Sequence, residues 1–188
     1  MRIAFWDLET WDLVAPYGPL LCASVLLTEP ELKNRMITLR QDKYVKANLA
    51  EDMTDDRQLC CDLRELLNEQ HMHCGYFSKG FDIKHLNTRL ALHDEAFIDA
   101  RLHMDVIWKF KGWRGVSFGG ASMKVVAREL GLTQKPEVPS KVWMPAKAGN
   151  KKAMDEVCKR CEADVYITQE ILEWTMDRNM WKNIQLYP

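Results

Sequence analysis

The sequence predicts an α/β fold in which a mixed five-stranded sheet, part antiparallel meander and part parallel, is flanked by helices. Three observations lead there. Apolar runs at 1–6, 20–27 and 36–39 follow one another through connections short enough for antiparallel neighbours. Strand-like and helix-like segments then alternate, the pattern of parallel pairing through helical crossovers. The chain closes on its longest helical periodicity, from about Ala153 to Asp177.

Each element has a local reason. The turn-forming stretches VAPYGP and TEPELKN separate the first three strands, 1–6, 20–27 (LLCASVLL) and 36–39. From Asp55 to Glu69, Leu59, Leu63, Leu66 and Leu67 recur at helical spacing. HMHCGYFS reads as a short strand, and FDIKHLNTRLAL, with Ile83, Leu86, Leu90 and Leu92, as a second helix. Arg101–Trp108 is the fifth strand. KFKGWRGVSFGG reads as irregular, and a helix from Ala121 or Ser122 to Leu130 stops at Gly131. TQKPEVPSKVWMPAKAGNKK reads as a Pro- and Lys-rich loop before the last helix. At 188 residues, a single domain spanning 1–188 is expected.

No apolar run is long enough to span a bilayer, and the N-terminus resembles no signal peptide, so a soluble cytoplasmic protein with reduced thiols is expected from the six cysteines. The net charge of −1 conceals a segregation. Residues 101–152 hold eleven Lys or Arg against three acids, a local +8 that leaves −9 elsewhere. Trp108, Phe110, Trp113, Phe118 and Trp143 are interleaved with those charges. The combination suits a nucleic acid with single-stranded character, and it equally suits a solvated lysine face with aromatics tucked into a core.

The chemistry-bearing residues are acids. In FWDLET, strand alternation puts Asp7 and Glu9 on one side and Trp6 and Leu8 on the other. Two carboxylates held that close repel unless a proton or cation lies between them, so the pair reads as an exposed strand end or a metal site. Asp82 falls at the first turn of the second helix, a favourable place for an acid in any protein. Asp164 lies mid-helix on the side of Cys161, Thr168 and Ile171, where an unpaired charge is costly. Four oxygen-donor acids on separate elements suit two hard ions, Mg²⁺ or Mn²⁺, and phosphoryl transfer.

With these residues the sequence resembles the DEDD superfamily of 3′–5′ exonucleases on the ribonuclease H-like fold, nearest the family B polymerase proofreading domains and their stand-alone relatives. FWDLET resembles the first motif, SKGFDIKHLNTR the second, FGGASMKVVARELGL the Ser-Leu-Lys helix between motifs, and RCEADVYIT the third. The resemblance implies hydrolysis of terminal phosphodiesters of single-stranded DNA to nucleoside 5′-monophosphates by two ions. Asp7, Glu9 and Asp164 would hold the ion that activates water, Asp7 would bridge, and Asp82 would serve the second. Thr10 would touch the substrate backbone, unless a carbonyl satisfies its hydroxyl. Nucleic-acid contacts are expected from Phe77, Lys79, Lys109, Lys111, Trp113, Arg114 and Lys124, and a replication or repair protein as partner.

There are two departures. Where relatives carry Tyr or His to orient the attacking water, this chain has Arg160 and Lys159, and Arg160 shares a helix face with Asp164. Arginine stays protonated, so it is no general base, though it can hold a phosphate. Phe77 replaces the usual Asn of the second motif. These changes keep two alternatives in view: a nucleic-acid binding or accessory module of the same fold with weakened hydrolysis, and an exoribonuclease. Zinc at Cys158 and Cys161, or at His71, His73 and Cys74, lacks the paired half-sites such a site uses. His71 and His73 read as exposed, and His85 and His103 as candidate surrogate bases.

Overall fold

Strand β1 (Ile3–Thr10) lies inside the sheet because its two faces are apolar in alternate registers. Ala4, Trp6 and Leu8 pack on one side against Leu59, Leu63 and Leu67 of α2 (Arg57–Asn68) and Ile83, Leu86 and Leu90 of α3 (Asp82–Leu92). Phe5, on the other side, packs with Leu26, Met104, Val165 and Ile171. Each large apolar side chain fully removed from water contributes about 1.5–3 kcal/mol, so the two faces together lock the strand register. The structure is a computed structural model that describes residues 1–28, 34–111, 115–181 and 186–187.

The sheet runs in the order β3-β2-β1-β4-β5-β6. Strands β2 (Leu20–Thr28) and β3 (Arg35–Arg40) extend β1 as an antiparallel meander. Strands β4 (Met72–Gly75) and β5 (Arg101–Asp105) join on its other side in parallel. The expected mixed sheet of five strands is therefore present, and a two-residue antiparallel strand, β6 (Leu186–Tyr187), is added at the β5 edge. Helix α7 (Lys151–Asp177) crosses one face, burying Met154, Val157, Cys161, Val165, Ile167 and Ile171.

Several local expectations are corrected. A short helix α1 (Gln41–Lys46) follows β3 directly, anchored by Gln41 Nε2 donating to the carbonyls of Asp52 (3.0 Å) and Asp55 (2.6 Å). The fifth strand stops at Asp105, and α4 (Trp108–Lys111) buries Phe110 within the stretch read as irregular. After α5 (Met123–Leu130), capped by Ser122 and ended by left-handed Gly131, the Pro- and Lys-rich stretch contains helix α6 (Ser140–Lys147). Val142 and Ala146, one turn apart, bury beside Leu21, Met154 and Val157, and that packing outweighs Pro145. His73 is buried, because β4 has a neighbour on each side, and its Nε2 lies 3.0 Å from the Leu67 carbonyl.

A buried knot fixes the start of β2, beside the end of β1 that carries the acids. Asp56 accepts from the Leu20 amide (2.7 Å) and from Arg89 Nη2 (2.6 Å), and lies 2.7 Å from His93 Nε2. Arg89 also reaches the carbonyl of Ala15 in the 3₁₀ turn Ala15–Tyr17. Burial opposes the charge of Asp56, and the Arg89 hydrogen bonds overcome it, holding the carboxyl below its usual range.

Candidate functional site

Strand alternation sends Asp7 and Glu9 to the face covered by α7, opposite Ser24 and Cys22 of β2. Asp164 meets them from the middle of that helix. One carboxylate oxygen from each of Asp7, Glu9 and Asp164 lies within 4.8 Å of the others, a set able to hold a metal ion. Asp82 is the first residue of α3 and is buried, and the Leu8 backbone between the two β1 acids is near enough to favour its charged form. The four acids named from the sequence therefore converge at the C-terminal end of β1.

The electrostatics are those of acids crowded out of water. Burial first, then crowding by Cys161 and by the carboxylates of Asp82, Asp164 and Glu9, pushes Asp7 well above the carboxylate range. Burial also raises Glu9 and Asp164, although Arg160 and Lys135 respectively pull them back down. Burial, with Asp105 and Glu9 nearby, lifts Asp82 to about 7. Oδ1 of Asp164 is buried with no hydrogen-bond partner among the described residues. An unsatisfied carboxylate oxygen costs about 1–3 kcal/mol or more, and a divalent cation would satisfy it while relieving the repulsion. The donor set, all oxygen and all anionic, suits a hard ion such as Mg²⁺ or Mn²⁺.

Two cations enter the cluster. Arg160, one turn before Asp164, donates from Nε to Oε1 of Glu9 at 2.8 Å, and its guanidinium carbon lies 5.9 Å from the ring centre of Trp143. Lys135 pairs with Oδ2 of Asp164. It comes from the loop after α5, where Glu170 of α7 accepts from both the amide (2.9 Å) and the hydroxyl (2.7 Å) of Thr133. The site reading of the sequence did not include Lys135, for a lysine in a Pro-rich stretch carries no periodic signal.

Asp105 was also missed. It ends β5, is buried, and accepts from the amides of Phe77 (2.7 Å) and Lys79 (3.0 Å), which holds the loop leading into Asp82. Its signal was present as an acid at the C-terminal end of a parallel strand, where α/β sheets place their ligands.

The other named residues are distributed as follows. The Thr10 hydroxyl donates to the Asp12 carbonyl at 2.8 Å. Phe77 is part exposed, with Lys111 Nζ 4.6 Å from its ring centre. Lys109 Nζ lies 3.9 Å from the ring centre of Trp181, and Lys124 pairs with Glu137. Trp113 and Arg114 lie outside the described residues. Neither histidine named as a surrogate base belongs to the acid cluster. His85 Nε2 lies 2.6 Å from the Gly18 carbonyl. His103 Nε2 lies 2.8 Å from the Ser78 hydroxyl, and burial beside His73 and Lys79 depresses its pKa to about 3.

Cys158 and Cys161 are both buried, and the Cys161 thiol donates to the Asp7 carbonyl at 3.3 Å.

The RNase_H_2 model of the RNase_H superfamily matches residues 4–176, and the chain belongs to that superfamily. Among solved structures it is similar to the family B DNA polymerase from the hyperthermophilic archaeon Pyrobaculum calidifontis, with a TM-score of 0.69 and 16% identity. That match covers 94% of this chain and 24% of the polymerase chain, and at such identity it speaks to the fold. No curated protein matches the chain. No helix among the described residues is long and apolar enough to cross a membrane.

Proposed function

We propose that the chain is a metal-dependent nuclease, specifically a 3′–5′ exonuclease that shortens single-stranded DNA and releases nucleoside 5′-monophosphates. The observation that carries the reading is the convergence of Asp7, Glu9 and Asp164 within 4.8 Å, with buried Asp82 alongside. Membership of the RNase_H superfamily and the fold shared with a family B DNA polymerase support it. Asp7, Glu9 and Asp164 would hold one Mg²⁺ or Mn²⁺, with Asp7 and Asp82 serving a second. Such ions, when bound, supply an activated water and stabilise a leaving oxygen.

In the reaction a water oxygen bonds to the terminal phosphorus while the bond from phosphorus to the preceding 3′ oxygen breaks. That oxygen takes a proton and becomes the new 3′ hydroxyl. Arg160, protonated throughout the working pH range, orients Glu9 and offers its remaining N–H groups to a phosphate oxygen. Lys135 is the second fixed positive charge, balancing Asp164 and then the phosphate. Lys79, Lys109, Lys111, Lys124 and Arg114, with Thr10, Phe77 and Trp113, would guide the strand. A replication or repair protein would deliver the substrate.

A second reading has its own observation. The Arg160–Glu9 pair stands where relatives carry a Tyr, which fits a strand-binding module with weakened hydrolysis. The test is cleavage of 5′- and 3′-labelled single strands, DNA and RNA, with Mg²⁺, Mn²⁺ or EDTA. A metal-dependent ladder from the 3′ end, lost in Asp7→Ala, supports the exonuclease, and a ladder on RNA alone makes it an exoribonuclease. Wild-type silence with cleavage gained in Arg160→Tyr supports the binding module, and an active Asp7→Ala protein would sink the metal site.

A further inference from the structure

The loop that delivers Asp82 carries a conformation that packing alone does not explain. Phe77 has φ of 64°, in the left-handed region where a bulky aromatic is an outlier. The surroundings hold it there. Its amide donates to Asp105 at 2.7 Å, and its carbonyl accepts from the amides of Gly80 (2.8 Å) and Phe81 (3.0 Å). Its ring lies over Gly80, where an added Cβ would meet ring carbon Cε2 at 2.3 Å. Strain of this kind costs on the order of 1–3 kcal/mol and persists where the structure over-determines it, typically at functional sites.

The ring so placed is not buried: Phe77 is 39% exposed. Trp108, the first residue of α4, is 52% exposed. Lys111 reaches both, its Nζ 4.6 Å from the Phe77 ring centre and 5.9 Å from that of Trp108. Two exposed aromatic faces near one lysine, Trp108 and Lys111 belonging to the segment of charge +8, match a polyanion that carries flat rings.

We propose that Phe77, Trp108 and Lys111 form a stacking site for one unpaired base of a single-stranded nucleic acid, the lysine taking the adjoining phosphate. The proposal rests on the reading of the acid cluster as acting on nucleic acid, and it deepens that reading. Recognition would depend on the base having a π face and not on its hydrogen-bonding edge, so the site tolerates any sequence and rejects paired ends.

The test measures strand binding by fluorescence anisotropy with Ca²⁺ present, for DNA and RNA strands of one sequence. Each of the last three positions is made abasic in turn. The wild type should lose about tenfold in affinity at one of those positions. Phe77→Ala and Trp108→Ala should bind the intact strand about tenfold more weakly and no longer sense the missing base. Equal loss on intact and abasic strands, or no loss, overturns the proposal.

Phe77→Asn separates function from fold. Asparagine tolerates the left-handed region, so this variant should melt no lower than wild type while binding as weakly as Phe77→Ala. A markedly lower melting temperature would make the ring structural and overturn the stacking site.

Mononucleotide release with Mn²⁺ is scored separately. Release without an abasic penalty removes the stacking site alone. A penalty without release in any metal removes the nuclease reading and keeps the site, and a wild type that binds no strand removes both.

Discussion

Arg160 Nε donates to Glu9 Oε1 at 2.8 Å, joining residues 151 positions apart in sequence. A charge-assisted hydrogen bond between partly buried groups is worth about 1.5–3 kcal/mol. It also competes with a cation for the same carboxylate. Arg160→Gln should therefore lower the metal-free melting temperature and enlarge the rise produced by Mn²⁺. Thermal melts in EDTA and in Mn²⁺ check both signs, and a smaller Mn²⁺ rise would refute the competition.

The four acids share a pH signature. Asp7, Glu9, Asp82 and Asp164 all titrate above their unfolded values, Asp82 at about 7. The folded state thus binds protons more tightly than the unfolded chain, and their contribution to stability falls as pH rises from about 4 towards 7 and above. Buried His73, His85 and His103, whose pKa values burial depresses, contribute with the opposite sign below about 6.5. The raw pH profile mixes the two sets. The increment in melting temperature from Mn²⁺ isolates the acids and should grow from pH 5 to pH 8.

Asp7→Asn removes the most crowded charge of that cluster. At pH 8 in EDTA it should melt above wild type, by roughly 2–4 °C for each kcal/mol of repulsion relieved, and it should show no Mn²⁺ increment. Melting below wild type in EDTA would contradict the repulsion.

Lys135 is the partner of an acid whose other oxygen has none among the described residues. Removing one member of such a pair leaves a buried charge, at a cost of about 3 kcal/mol. Lys135→Ala should lose about that much in urea unfolding without metal and recover most of it with Mn²⁺. Equal losses under both conditions would show that Lys135 acts through packing.

Asp105 holds two amides of the loop that leads to Asp82. Asp105→Ala should cost about 1–3 kcal/mol of stability and should weaken strand binding beyond what that loss explains. Binding measured well below the melting temperature checks this, and unchanged affinity would confine Asp105 to a structural role.

The acids of the site were legible because each lies in a strongly patterned element. Asp7 and Glu9 inherit their face from strand alternation, and Asp164 inherits its burial from the period of α7. Lys135 and Asp105 were not legible as site residues. One reaches Asp164 from a loop that Thr133 and Glu170 tie to α7; the other stood in a readable place, the end of a parallel strand, but the backbone amides it holds have no sequence signature. Helix α6 was missed for a related reason: Pro145 and the lysines read as loop, while burial of Val142 and Ala146 against α7 decided the outcome. His73 was misplaced because nothing local tells a central strand from an edge.

One of the two cations of the site, Lys135, is carried by a loop, while the acids and Arg160 are carried by β1, α3 and α7. Asp7 and Glu9 ride on a strand paired on both sides, and Asp164 on a helix of 27 residues laid across it. Lys135 hangs from a loop tied to α7 by the exposed Thr133–Glu170 contact. Amide hydrogens around Asp7 should therefore exchange with deuterium only through near-global unfolding, while those around Lys135 exchange through local opening. The acids and Arg160 are as durable as the fold, and Lys135 can be withdrawn while the fold stands.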